Sequence, residues 1–252
     1  MSTWSDEFRP LGAGIGRWAP QFVKWGVHAL DGNGDKCWKV HGDWRPGPGV
    51  ASPAEMGLTL HEVSPAGTLK LYAHKNPNPA DWWGYGYLGG MISGEVSHAQ
   101  TYGTWECRAK FEAGKGQHWA MWLLQQDGAW PPEIDLVEVV NDGTTKTQQR
   151  LFMGAHGASG APSVKGLNTD GAGTYWLPTS TWQGWHVYKL RWTNSTMEWW
   201  VDGVKRMWRP NFVAKPLCFF ITPEIASNWP GQPDASTPWP MTAEIDYVRI
   251  SA

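Results

Sequence analysis

Residues 133–138 read Glu133-Ile134-Asp135-Leu136-Val137-Glu138, three carboxylates set into an otherwise aliphatic run. Placing that much negative charge in a strand is unfavourable unless the groups are paired, protonated or used in chemistry. Side chains two apart in a strand share a face and side chains five apart do not, so Glu133 and Asp135 point together while Glu138 points away. One extra residue, a β-bulge at Leu136 or Val137, turns Glu138 back onto the face of the other two. Two carboxyls held about 5 to 5.5 Å apart are what retaining glycoside hydrolysis requires, one as nucleophile and one as acid and then base. The competing reading is a half-exposed strand whose acids are merely solvated.

Working outward, the segment Trp130-Pro-Pro-Glu-Ile-Asp-Leu-Val-Glu138 resembles the active-site strand of glycoside hydrolase family 16, in the bulged form of laminarinase-like β-glucanases, agarases and carrageenases. Further segments follow in the family's order: Asp6-Glu7-Phe8, Tyr102 to Lys110, Trp185-His-Val-Tyr188, Trp200-Val-Asp-Gly203, Asn228-Trp-Pro-Gly231 and Asp246-Tyr-Val-Arg-Ile250. The resemblance implies that Glu133 is the nucleophile, Glu138 the acid/base and Asp135 the helper between them.

The chain of 252 residues reads as one domain, 1–252, with no linker. Charged residues make up 17 %, the net charge is −2 and no Lys/Arg cluster occurs, so no nucleic-acid partner is expected. Twenty tryptophans must fill a core or line a surface on which something planar stacks, and sugar rings have such faces. Cys37, Cys107 and Cys218 leave at least one thiol unpaired and make no metal spacing, so buried thiols are expected rather than disulfides. No apolar run approaches about 18 residues, so no membrane partner is expected. The N-terminus lacks a basic region followed by an apolar one.

Residues 1–50 are rich in Gly, Pro and Trp and read as loops with short strands, with Trp4, Trp18, Trp25, Trp38 and Trp44 as core or rim packing. Period-two alternation predicts strands over 56–63 and 69–73, separated by the turn at Ser64-Pro-Ala-Gly67. The aromatic–glycine run over 82–97 suggests a strand that something approaches closely. The stretch 102–112 puts Trp105, Cys107, Ala109 and Phe111 on a core face, and Glu106 and Arg108 on a polar one. The resemblance implies that Glu106 and Arg108 contact sugar hydroxyls.

Two departures from the family pattern stand out. His118 occupies the position of an active-site Trp and Trp119 that of a Pro, and both are candidates for the cleft. Thr222 stands for a binding Asn and Glu224 for a small Ala, so a fourth carboxylate enters or borders the cleft and the usual glucan specificity is in doubt. His156 resembles the histidine that reaches the nucleophile's sugar subsite, and Trp229 lies in the matching Asn-Trp-Pro-Gly segment. His186 matches a family position in a strongly β segment and reads as structural. The polar stretch 157–181 is long enough to carry binding function. Asp246, in the last strand, occupies the position that in the family often binds a structural Ca²⁺; no cofactor is implied for catalysis.

Short alternating strands and the lack of any sustained 3.6 period predict an all-β sandwich. The resemblance makes it a jelly roll of two curved antiparallel sheets with a concave substrate cleft. The expected function is retaining endo-hydrolysis of a β-linked polysaccharide, by a secreted monomer. A lectin-like module without catalysis and a transglycosylase using the same carboxylates are the alternatives.

Overall fold

The computed structural model describes residues 3–6, 24–30, 36–40, 45–95, 98–112, 114–144, 148, 150–157, 164–165, 174–177 and 181–252. In chain order the strands are β1 (Thr3–Asp6), β2 (Lys24–Leu30), β3 (Lys36–Val40), β4 (His61–Val63), β5 (Leu69–Lys75), β6 (Tyr87–Ser93), β7 (Gly103–Phe111), β8 (Gln117–Gln125) and β9 (Glu133–Asn141). They continue with β10 (Arg150–His156), β11 (Val164–Lys165), β12 (Thr174–Trp176), β13 (His186–Trp192), β14 (Thr196–Val201), β15 (Val204–Pro210), β16 (Leu217–Ile225) and β17 (Met241–Ser251). A short 3-10 turn occupies Pro79–Trp82.

The pairings make two curved antiparallel layers, the expected jelly roll. The front layer runs β3-β2-β6-β16-β8-β9-β10, with β11 and β12 on the outer edge of β10. The back layer runs β15-β14-β13-β7-β17, with β5 and β1 on the far edge of β17 and β4 outside β5. The layers join along β6, which pairs with β5 at Tyr87–Gly89 and with β16 at Ile92–Ser93. Only glycine fits that crossover: a Cβ on Gly89 would lie 2.4 Å from Pro223 Cγ, and one on Gly90 2.2 Å from the Leu60 carbonyl oxygen.

Between the layers lies one apolar cluster, fed by alternate residues of nearly every strand: Trp105, Cys107 and Ala109 of β7 face Trp119, Met121 and Leu123 of β8. The outer face of each layer is therefore set by the other parity, which decides where every candidate residue points. Asp202 and Gly203, both at positive φ (51° and 75°), close the hairpin between β14 and β15 as the Asp-Gly pair predicts.

Three local expectations change. Of the stretch 56–63, only His61–Val63 is strand, because the residues before it turn. The aromatic–glycine run is a turn through Gly86 that buries Trp82, and the strand starts at Tyr87. The stretch 157–181 contains two short strands that extend the sheet beyond β10. Cys107 and Cys218 are buried thiols, and the Cys218 thiol donates to the Leu124 carbonyl at 3.3 Å. The side chains of Cys37, Trp4, Trp25 and Trp38, and all of Trp18, Trp44, Glu7 and Phe8, lie outside the described residues. Among the described residues no helix is long and apolar enough to cross a membrane.

His61 anchors β4 to β6 through a 2.9 Å hydrogen bond from Nε2 to the Met91 carbonyl. Burial pushes its imidazole down to about 4 from 6.5, against the opposing pull of that carbonyl. The folded protein thus disfavours the charged ring. Its contribution to stability is full above pH 6.5 and is lost as pH falls toward 4. Denaturant unfolding measured across this window should show a declining acid limb that flattens in His61→Gln.

Candidate active site

The site is built on β9, where the pairing carries an irregularity. Against β8, Met121 pairs with Val137 and Trp122 with Asp135, so Leu136 has no partner of its own. Against β10, Glu138 pairs with Phe152 and Asp135 with Gly154, again leaving one residue extra on β9. Leu136 and Val137 consequently both enter the core, together with Ile134 and Val139. Glu133, Asp135 and Glu138 are returned to one face, the outer face of the front layer, as the bulge argument expects.

Each acid on this face has defined neighbours. Asp135 is 3 % exposed, and its Oδ2 lies 3.3 Å from His156 Nε2. Glu133 is reached from two sides, by His156 Nε2 at 3.8 Å and by the Trp130 indole N–H, which donates to its Oε2 at 2.8 Å. Facing side-chain atoms of Glu133, Asp135 and His156 all lie within 4.8 Å of one another. Glu138 Oε1 is 3.0 Å from His118 Nε2, and the other nitrogen of that ring, Nδ1, is 3.2 Å from Glu224 Oε2. Trp229, 45 % exposed, packs edge-on against His118 (5.1 Å between centroids) and Phe152 (4.5 Å). Small residues flank two of the acids: Ala120 opposite Glu138 and Gly154 opposite Asp135. Carboxylates, imidazoles and an exposed indole thus converge on one face.

The bulge is fixed from behind. Trp199 crosses the core from β14 and donates its indole N–H to the Asp135 main-chain carbonyl at 2.7 Å. A carbonyl displaced from the ladder is thereby satisfied in a dry interior. On the front face, the Trp122 indole donates to Thr222 Oγ1 at 3.0 Å and stacks on Phe220, making an apolar floor with Leu124 and Met91. Thr222, expected at a binding position, is fully buried beneath that contact.

Several candidates prove to face elsewhere. Trp119 is fully buried in the core, since it and His118 are successive residues of one strand and only one of them can face the cleft. Glu106 and Arg108 lie on the outer face of the back layer, across the whole core from the acids. There Arg108 pairs with Asp246 at 2.6 Å and stacks on Trp185, while Glu106 holds Lys189 at 2.6 Å and accepts a hydrogen bond from Tyr247 at 3.0 Å. Burial, with the Glu106 charge beside it, raises the Tyr247 hydroxyl to about 12. His186 is structural as expected, held by Asp202 at 2.7 Å and the Thr181 carbonyl at 3.0 Å. Asp246, the position expected to bind Ca²⁺ together with backbone carbonyls, lies on the outer face of the back layer. Its carboxylate meets the Arg108 guanidinium at 2.6 Å. Sequence reasoning passed over Trp130, Phe152 and Trp199. Trp130 was visible three residues before Glu133, but nothing local marks the other two.

A family model for glycosyl hydrolases family 16 matches residues 52–249, which include all the acids and histidines of this face. The chain belongs to glycosyl hydrolases family 16. Two relatives of this family 16 chain come from Rhizobium meliloti (strain 1021). Endo-1,3-1,4-beta-glycanase EglC is 28 % identical over 257 residues, and endo-1,3-1,4-beta-glycanase ExsH 27 % over 262. Each match covers 98 % of this chain and 50 % of the relative, so the chain spans about half the length of these curated relatives. Among solved structures, the laminarinase catalytic domain from Thermotoga maritima MSB8 superposes with a TM-score of 0.73 at 22 % identity, covering 98 % of this chain and 96 % of that one. Endo-beta-1,3-glucanase from Pyrococcus furiosus gives 0.69 at 21 %, covering 98 % and 92 %. At these identities the structural likeness speaks for the fold.

Two measurements check the framework of the site. Trp199→Phe removes the donor to the Asp135 carbonyl and leaves that group unpaired in the core, so chemical denaturation should show a loss of about 1 to 3 kcal/mol, accompanied by reduced activity. Asp246→Ala should lower stability by no more than about 1 kcal/mol, the scale of a partly exposed ion pair.

Proposed function

We propose that this family 16 chain is a retaining endo-glycoside hydrolase acting on internal β-linkages of a polysaccharide, a β-1,3 or mixed β-1,3-1,4 glucan or a related bacterial exopolysaccharide. The observation that carries this reading is the bulge at Leu136, which returns Glu138 to the face of Glu133 and Asp135. A sugar-binding surface needs aromatics and hydrogen-bonding groups but has no use for two differently surrounded carboxyls beside a third. The polysaccharide class is supported by the names of the relatives, both endo-1,3-1,4-beta-glycanases.

In this reading Glu133 attacks the anomeric carbon while Glu138 gives its proton to the departing glycosidic oxygen, and the C–O bond to the leaving chain breaks. Water then adds to the anomeric carbon of the glycosyl-enzyme and gives a proton to Glu138, and the bond to Glu133 breaks. Trp130 and His156 position the Glu133 carboxylate, and Asp135 shares the histidine. Trp229 offers the sugar an exposed indole. A polymeric substrate places the work outside the cell, and a monomer suffices because every group named belongs to one chain.

Glu133→Gln and Glu138→Gln should each reduce turnover of mixed-linkage β-glucan by about 10²-fold or more while leaving the unfolding transition in place. The Glu138 variant should recover on an aryl glycoside whose leaving group needs no proton, and the Glu133 variant should not. Reducing-end assays on both substrates read the difference; near-normal turnover in both variants would defeat the hydrolase reading.

A further inference from the structure

The ring of His118 is buried, with its side chain 4 % exposed, and both nitrogens meet carboxylates: Glu138 at 3.0 Å and Glu224 at 3.2 Å. Carboxylates only accept hydrogen bonds and a neutral imidazole brings one N–H, so two hydrogen bonds along this line require two protons. The trio therefore holds one proton more than a neutral imidazole between two carboxylates.

The surrounding charge decides where that proton sits. β9 contributes Glu138, Asp135 and Glu133 to this face and β16 contributes Glu224. β10 contributes His156 and Arg150, the latter over the Phe152 ring, while Trp229 closes the side without charge. Leaving Glu138 ionised would set three carboxylates along one strand face, whereas a proton on Glu138 leaves the remaining anion, Glu224, beyond the ring on the next strand. Like-charge repulsion favours the second arrangement.

We infer that His118, held through Nδ1 by the Glu224 carboxylate, is a positioning residue that accepts a hydrogen bond from protonated Glu138 at Nε2 and aims that carboxyl at the glycosidic oxygen. This rests on Glu138 being the acid/base of the proposed hydrolysis. When the proton passes to the leaving oxygen, the Nε2 lone pair faces a bare carboxylate. The two repel, and the repulsion drives Glu138 to take the next proton from water. His118 keeps its own proton throughout. Glu224 is thus a support for the acid/base rather than a contact for substrate hydroxyls.

The test is kcat/KM against pH on mixed-linkage β-glucan for the parent protein, Glu224→Gln and His118→Asn. The Asn variant keeps an atom at the Nδ1 position and none at Nε2. Both variants should move the basic limb to lower pH by about one unit, a tenfold loss on the basic side, with far less loss on the acid side. A uniform fall at every pH with the limb unmoved would mean a structural role and overturn the inference. So would a limb moved upward in His118→Asn, since His118 would then be an imidazolium that lowers the Glu138 proton affinity. Should His118→Asn fail to fold, the isosteric Glu224→Gln decides alone. Glu138→Gln is run beside them on the aryl glycoside. If its loss is relieved there, an unmoved limb counts against His118 and Glu224 only; if it is not relieved, the acid/base assignment fails and the inference falls with it.

Discussion

The placement of the three acids of β9 depends on one surplus residue. Leu136 gives β9 one residue more than either neighbour can pair, and the sheet accommodates it by sending two successive side chains into the core. The surplus shifts the pairing register where the acids sit, and Trp199 of the opposite layer reaches in to donate to the Asp135 carbonyl. The placement of the acids is therefore a property of the whole sandwich: a shift between layers would move the indole, and with it the bend that aims Glu138.

The two outer faces treat carboxylates differently. On the back layer the acids meet permanent cations: Asp246 with Arg108, Glu244 with Lys110, Glu106 with Lys189, Glu198 with Lys205. On the front layer Glu133, Asp135, Glu138 and Glu224 instead meet imidazoles and an indole. A guanidinium or ammonium holds a carboxylate in its ionised form. An imidazole can instead donate to a carboxylate through one nitrogen and accept from it through the other. That contrast separates charge that stabilises the fold from charge that can do chemistry.

Much of this was legible in the sequence. Period-two alternation marks β7 and β13 because each buries one face, and the bulge followed from the spacing of the three acids. Parity was where the reading failed. His118 and Trp119 could not share a face, and only the register against β9 and β16 settles which one looks out. Glu106 and Arg108 alternate correctly, yet alternation alone does not tell which outer face a polar row lies on; that depends on β7 sitting between β13 and β17. The pairing of His118 with Glu224 joins residues 106 positions apart, beyond the reach of any local pattern.

The pairing of the first strand with the last, Thr3 opposite Ser251, has a consequence of its own. The two ends of the described chain lie side by side on the back layer, so the fold is close to a closed ring interrupted at one point. Moving that interruption to the exposed Asp202-Gly203 turn, with a short tether across Thr3 and Ser251, would preserve every strand pairing described above for the two layers. Such a circular permutant would keep its termini on the back layer, on the opposite side of the core from the acids.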